Sequence, residues 1–204
     1  MSRSVRKRRS PEEARLEVLH AAEQRLREHG VSGLNVADVA RDCGMSHATV
    51  IHHFGNTAGM RRALVEHMTD RLLRDVIRTL AEEPAPDPPM VLRRLYATLS
   101  EGGHAKLIAW LSVSGDEFAP EVGASGPVRS LFAELVPVVA ERLKADDDPL
   151  RTARHIIFLT ATSAMGYGLS GELWPAAMGL SDEEVEEFPG WLGAQISRLW
   201  MAEE

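Results

Sequence analysis

Asn35 and Ser46 are two helix-opening residues eleven positions apart, with Gly44 between them. Each can offer a side-chain oxygen to the unpaired N–H groups of a first helical turn, and Gly44 can take the positive φ of a sharp turn. Residues 35 to 54 therefore hold two short helices: Val36 to Cys43, closed at Gly44, and a second that Ser46 caps and that runs to about His53. Asp38 supplies the reciprocal bond of a capping box and a charge suited to the positive end of the helix dipole. Val39, Ala40, Val50 and Phe54 are the core residues of the pair. In such a pair the second helix can enter a DNA major groove while the first braces it across the backbone.

The flanking sequence continues the helical pattern. Ser10-Pro11-Glu12-Glu13 is a capping box with proline at the first helical position, followed by the stripe Ala14, Val18, Leu19, Ala21, Ala22 and Leu26 and by a stop at Gly30. After Phe54-Gly55-Asn56, Thr57 is expected to cap a long helix in which Met60, Leu64, Met68, Leu72, Val76 and Leu80 recur every four residues. Leucines at 92, 95 and 99 mark a fifth helix, and Leu107, Ile108 and Leu111 a sixth. Ser114 to Pro127 reads as a loop, and Leu131, Leu135, Val138 and Val139 as a seventh helix kinked by Pro137. Asp148-Pro149 opens an eighth. Ser181 with Glu184 opens the last, striped by Leu192, Ile196 and Leu199, flanked by Trp191 and Trp200, and expected to split at Pro189. No segment sustains the two-residue alternation of a strand, so the fold class is all-α. The pattern is expected to divide the chain into an N-terminal three-helix helix-turn-helix domain with a basic arm, 1–56, and a helical domain, 57–204, for which the resemblance described below implies ligand sensing and dimerisation.

Charge separates the two parts. Residues 1 to 62 carry eleven Lys/Arg against seven Asp/Glu, a balance of +4, whereas the remainder stands at −11, so one end is suited to a polyanion. Five cations of the arm, Arg3, Arg6, Lys7, Arg8 and Arg9, precede the first helix and could reach a minor groove or track phosphates. A single cysteine, Cys43, permits no intramolecular disulfide and fits a reducing cytoplasm. No apolar run approaches the ~20 residues of a membrane span, so no membrane partner is expected. Gly166 to Gly171 spells G-x-G-x-x-G, but a dinucleotide site needs a βαβ unit and the chain offers no second strand. His104, His155 and the run Asp146 to Asp148 lack ligand spacing, so no metal and no cofactor is expected. Neither a paired nucleophile and base nor G-x-S-x-G stands out, so the chain does not read as an enzyme.

Arg15 to Met60 resembles the DNA-binding domain of TetR-family transcriptional regulators, in Val39-Ala40, Cys43-Gly44-Met45-Ser46, Ala48-Thr49-Val50 and His53-Phe54. Where that family usually shows a glycine, a tyrosine and a lysine, this chain has Ala48, Ile51 and Thr57. The resemblance implies a homodimer, usually a repressor, on a palindromic double-stranded operator, released when a small-molecule inducer binds in the body and moves the connecting helix. The DNA-contacting candidates are Arg8, Arg9, Asn35, Ser46, His47, Thr49, His52, His53 and Thr57. By the resemblance His53 meets phosphate and His47 sits at a variable, often base-reading position; Thr49 is a phosphate or thymine-methyl contact. Candidates for an inducer cavity are His104, Trp110, Phe118, Phe132, His155, Phe158, Met165 and Tyr167. The dimer is expected through the helix after Pro149 and the final helix, Leu192 to Trp200. The rival reading is a helical small-molecule-binding protein with a degenerate DNA-binding motif, which Ile51 and Thr57 favour because they lack the usual phosphate donors.

Overall fold

A computed structural model of the chain describes residues 10–82, 87–113, 127–143, 147–171 and 173–200. These form ten α-helices and one 3-10 turn: α1 Pro11–His29, the turn Val31–Gly33, α2 Val36–Asp42, α3 His47–Phe54, α4 Thr57–Leu80, α5 Pro88–Glu101, α6 His104–Val113, α7 Pro127–Ala140, α8 Pro149–Ser170, α9 Leu173–Met178 and α10 Asp182–Trp200. The described residues contain no strand. The chain is all-α.

Its contacts separate into two compact units that divide between Leu64 and Val65, inside α4. The change of sequence pattern at 56/57 marks where a helix starts; the core boundary falls two turns later, because Met60 and Leu64 are fully buried with the first unit.

The first unit is built as its caps dictate. Ser10 Oγ accepts the Glu13 N–H at 3.1 Å while the Glu13 carboxylate accepts the Ser10 N–H at 2.8 Å. Val18, Leu19, Ala22 and Leu26 of α1 are buried with Leu34, Val36, Val39 and Val50. Three arginines then lock the elements together. Arg25 donates to the Gly33 carbonyl at 2.7 Å, to Asp38 at 2.7 Å and to Asp42 at 2.8 Å, so one side chain of α1 grips both ends of α2. Arg61 donates to the Leu34 carbonyl at 3.0 Å. Arg15 donates to the His53 carbonyl at 3.1 Å, with its guanidinium 4.5 Å from the centre of the Phe54 ring. Part of the N-terminal positive charge is thus consumed inside the unit.

One cap differs from its expectation. Asn56, not Thr57, opens α4: its side-chain oxygen accepts the Gly59 N–H at 2.7 Å and its carbonyl accepts the Met60 N–H at 3.0 Å. Thr57 is the first helical residue. Two adjacent residues were both able to cap, and the bond geometry selects the earlier one.

The second unit packs α5 between α8 and α10, with α7 on α8 and α6 against both α5 and α8. Its core joins Leu72, Leu92, Tyr96, Leu135, Ile156 and Ile196 with their neighbours. Buried Tyr96 hydrogen-bonds Ser163 Oγ at 2.6 Å, and burial pushes its hydroxyl above the usual tyrosine range despite that bond. The last helix is not split at Pro189 but runs unbroken from Asp182 to Trp200. It lies so close to α5 that a Cβ on Gly193 would come within 2.5 Å of the Pro89 backbone, and this packing outweighs the one backbone bond that proline removes. Gly166 to Gly171 belongs to α8 and its C-cap rather than to a strand-turn-helix unit, and Gly168 lets the helix meet Ala105 of α6. Ile196 and Leu192 face inward, 2% and 8% exposed, so they build this unit's own core and are not free to meet a second copy. The expected loop Ser114 to Pro127 lies outside the described residues up to residue 126, and Pro127 itself opens α7. The side chains of Leu199 and Trp200 are outside them as well.

Candidate nucleic-acid interface

The turn between α2 and α3 is fixed from both sides. Gly44 has φ +65°, and the Met45 N–H donates back to the Ala40 carbonyl at 2.8 Å, which closes α2. Ser46 then opens α3: its hydroxyl oxygen accepts the Thr49 N–H at 3.1 Å and lies 2.8 Å from the Thr49 hydroxyl. Val50 is fully buried and Phe54 9% exposed, which fixes the rotation of α3 about its axis. His47, Ala48 and His52 consequently stand exposed on the outer face, with Thr49, Ile51 and His53 half-buried beside them. The His52 and His53 rings meet edge to face, 5.6 Å apart. Imidazole and hydroxyl groups on one exposed strip of helix are donors of the kind that phosphates and base edges accept.

Not every candidate joins that strip. Asn35 is committed to α2, where its oxygen accepts the Asp38 N–H at 3.0 Å and its amide donates to the Asp38 carboxylate at 2.8 Å. This is not the reciprocal bond expected of a capping box, since an aspartate is one methylene too short to reach back to the cap's backbone and takes the cap's side chain instead. The Asn35 bond, joined by the charges of Arg25 and Arg41, holds the Asp38 carboxyl below its ordinary range, against a smaller opposing effect of burial. Arg8 and Arg9 lie outside the described residues. Sequence reasoning missed the arginines that orient α3 and α2. Arg15, Arg25 and Arg61 act across eight to thirty-eight positions, so no local pattern signals them.

In the second unit, His104, Phe132 and Met165 line one cavity of about 180 Å³ between α4, α5, α7 and α8. Tyr167 instead lines a wider outer groove with Trp174, Phe188 and Trp191. Trp110 is half-buried and lines neither. His155 and Phe158 are a correction: both are exposed, Phe158 at 71%, on the side of α8 away from buried Ile156 and Thr160. Two residues along a helix turn the side chain by about 200°, and residue type alone ignores that phase. Phe118 lies outside the described residues. The cavity's polar members Thr69 and Thr160 went unnoticed because each is a lone hydroxyl within an apolar stripe. Among the described residues, no three or more His, Cys, Asp or Glu side chains gather to hold a metal, and no helix is long and apolar enough to cross a membrane.

A sequence model described as bacterial regulatory proteins, tetR family, matches residues 18–64. Solved structures share the fold over nearly the whole chain. A TetR-family transcriptional regulator from Pectobacterium atrosepticum is 18% identical, covers 95% of each chain and has a TM-score of 0.63. The TetR family repressor AlkX from Dietzia sp. is 17% identical, with 92% of this chain and 95% of that one covered at a TM-score of 0.59. A transcriptional regulator from Rhodococcus sp. Rha1 is 19% identical, with 93% and 97% covered at a TM-score of 0.61. No curated protein sequence matches the chain. Residues 18–64, which hold the helix-turn-helix segment, thus match the tetR-family model of bacterial regulatory proteins, and the chain shares its fold with those solved regulators.

Proposed function

We propose that the protein is a ligand-responsive transcriptional regulator, a repressor that binds a palindromic operator as a homodimer in the cytoplasm. The observation that carries this is α3: Val50 and Phe54 hold one face in the core and turn His47, Ala48 and His52 outward. On this reading Ser46, His47, Thr49, His52 and His53 meet DNA, His47 at base edges and His53 at phosphate. Thr57 and the arm residues Arg8 and Arg9 add sequence-independent affinity, and Asn35 acts by setting the angle of α2.

A second copy doubles the contacts of a headpiece too small for specific affinity alone. Exposed Phe158, Leu159 and Leu169 on α8 and Trp191 on α10 support that pairing, because large apolar side chains left at the surface of these helices gain from cover by a second copy. An inducer in the second unit acts on DNA binding through α4, which contributes residues to both units.

Selection of bound sites from random duplex DNA by the purified protein tests the reading. An enriched inverted repeat with half-sites about one helical turn apart is expected. Absence of any enriched sequence would leave the helical small-molecule-binding protein with a degenerate motif.

A further inference from the structure

The cavity in the second unit is apolar except at one end. Of its twenty-one described lining residues, only Thr69, His104 and Thr160 carry polar side chains, and none of the twenty-one is a lysine, an arginine or a carboxylate. Thr160 is committed to its own helix, its hydroxyl donating to the Ile156 and Ile157 carbonyls at 2.9 and 3.0 Å. The remaining polar pair is Thr69 Oγ1 and His104 Nε2, 3.0 Å apart, with His104 1% exposed. If the hydroxyl donates to the ring, its lone pairs remain; if the ring donates, the O–H remains, so Thr69 can bond a further partner in either case.

The shape is elongated. On α4 the lining residues run from Thr69 to Leu80 and on α5 from Pro88 to Leu99, eleven positions in each case and so about 16 Å of helix. Leu99 is five residues from His104, which sets the Thr69–His104 pair at one end of this length and Leu80 with Pro88 at the other. About 180 Å³ spread over that distance is the width of a single hydrocarbon chain. A dry cavity of ~150 Å³ holds one benzene, so by proportion the volume corresponds to roughly seven carbons, a heptyl to octyl chain.

We propose that this cavity takes an uncharged, unbranched aliphatic molecule of medium length with a single hydrogen-bonding oxygen at one end, its head on Thr69 and His104 and its chain toward Leu80. A primary alcohol, an aldehyde or a methyl ketone fits the description. An ionised head does not, because among the described residues the lining holds no lysine, arginine or carboxylate, and His104, 1% exposed, would have to take up a proton away from water to pair an anion. The inference rests on the second unit being the effector-binding part of a regulator, and it names the effector's chemical class.

The test is calorimetric titration of the full-length protein with four probes: 1-octanol, octanoate, octylammonium and cyclooctanol. Tightest binding by 1-octanol is expected, with each of the other three at least tenfold weaker. Thr69→Val keeps the side chain's shape and removes its hydroxyl, and should weaken 1-octanol three- to tenfold. Ala161→Leu fills the cavity from α8 and should abolish binding while the melting temperature holds or rises, which separates a blocked cavity from an unfolded one. Octanoate or cyclooctanol binding as tightly as 1-octanol, indifference to Thr69→Val, or no binding by any probe would overturn the proposal. Operator binding by the ligand-free protein is measured alongside: its absence would refute the regulator reading while the titrations still decide the cavity.

Discussion

The two units bury apolar cores but differ in what is added to them. In the first, the core of Val18, Leu26, Leu34, Val39 and Val50 is joined by arginines that reach backbone carbonyls and carboxylates, as Arg25 does with Gly33, Asp38 and Asp42. In the second, the aliphatic core surrounds a cavity of about 180 Å³. A helix that presents donors to a partner must keep one fixed rotation, which for α3 the buried Val50 and Phe54 set and the Arg15 bond to the His53 carbonyl holds. A unit that responds to a small molecule needs space that the molecule can fill, which aliphatic packing can leave open at moderate cost.

If the units differ in this way, single changes should damage one and spare the other. Ile196→Glu places a carboxylate among aliphatic side chains and should cost at least about 4 kcal/mol, melting the second unit while the first retains its own transition. Phe54→Ala should do the converse, at ~3–5 kcal/mol for a buried phenylalanine. Scanning calorimetry with a probe in each unit would read both; one shared transition in either variant would break the division. Ser46→Ala removes the α3 cap and should cost the first unit about 1 kcal/mol.

The acid side sharpens the comparison further. Asp38 has its pKa depressed in the folded state, so its contribution to stability is complete above the ordinary carboxylate range and is lost as pH falls through the folded value. Asp38→Asn should therefore flatten the acid limb of the first unit's melting profile and leave the second unit's unchanged.

How much of this was legible in the sequence depends on how far each interaction reaches. The caps at Ser10, Asn35, Ser46, Asp148 and Ser181 act within three residues, and the sequence alone identifies them. At α4 two neighbouring residues could both cap, and only geometry separates Asn56 from Thr57. Pro189 looks like a break because the packing that keeps α10 whole comes from α5, a hundred positions earlier. Aromatic type suggested His155 and Phe158 as cavity residues, whereas the cavity is mainly lined by leucine, valine and isoleucine at the right helical phase. The charge contrast between the two parts is visible in the sequence, although Arg15, Arg25 and Arg61 among the N-terminal cations bond within the first unit.

The central claim is that α3 carries sequence recognition on the face opposite Val50 and Phe54. Binding of His47→Ala and Thr49→Ala to the selected operator and to scrambled duplex, measured beside their melting curves, tests it most directly. The account predicts stability within about 0.5 kcal/mol of the parent for His47→Ala, together with a loss of ~1–3 kcal/mol in operator preference if it reads a base. Thr49→Ala should weaken all duplexes equally if Thr49 holds phosphate, and some sequences more than others if it touches a thymine methyl. Unchanged binding of both variants to every duplex would contradict the assignment of α3 as the recognition helix.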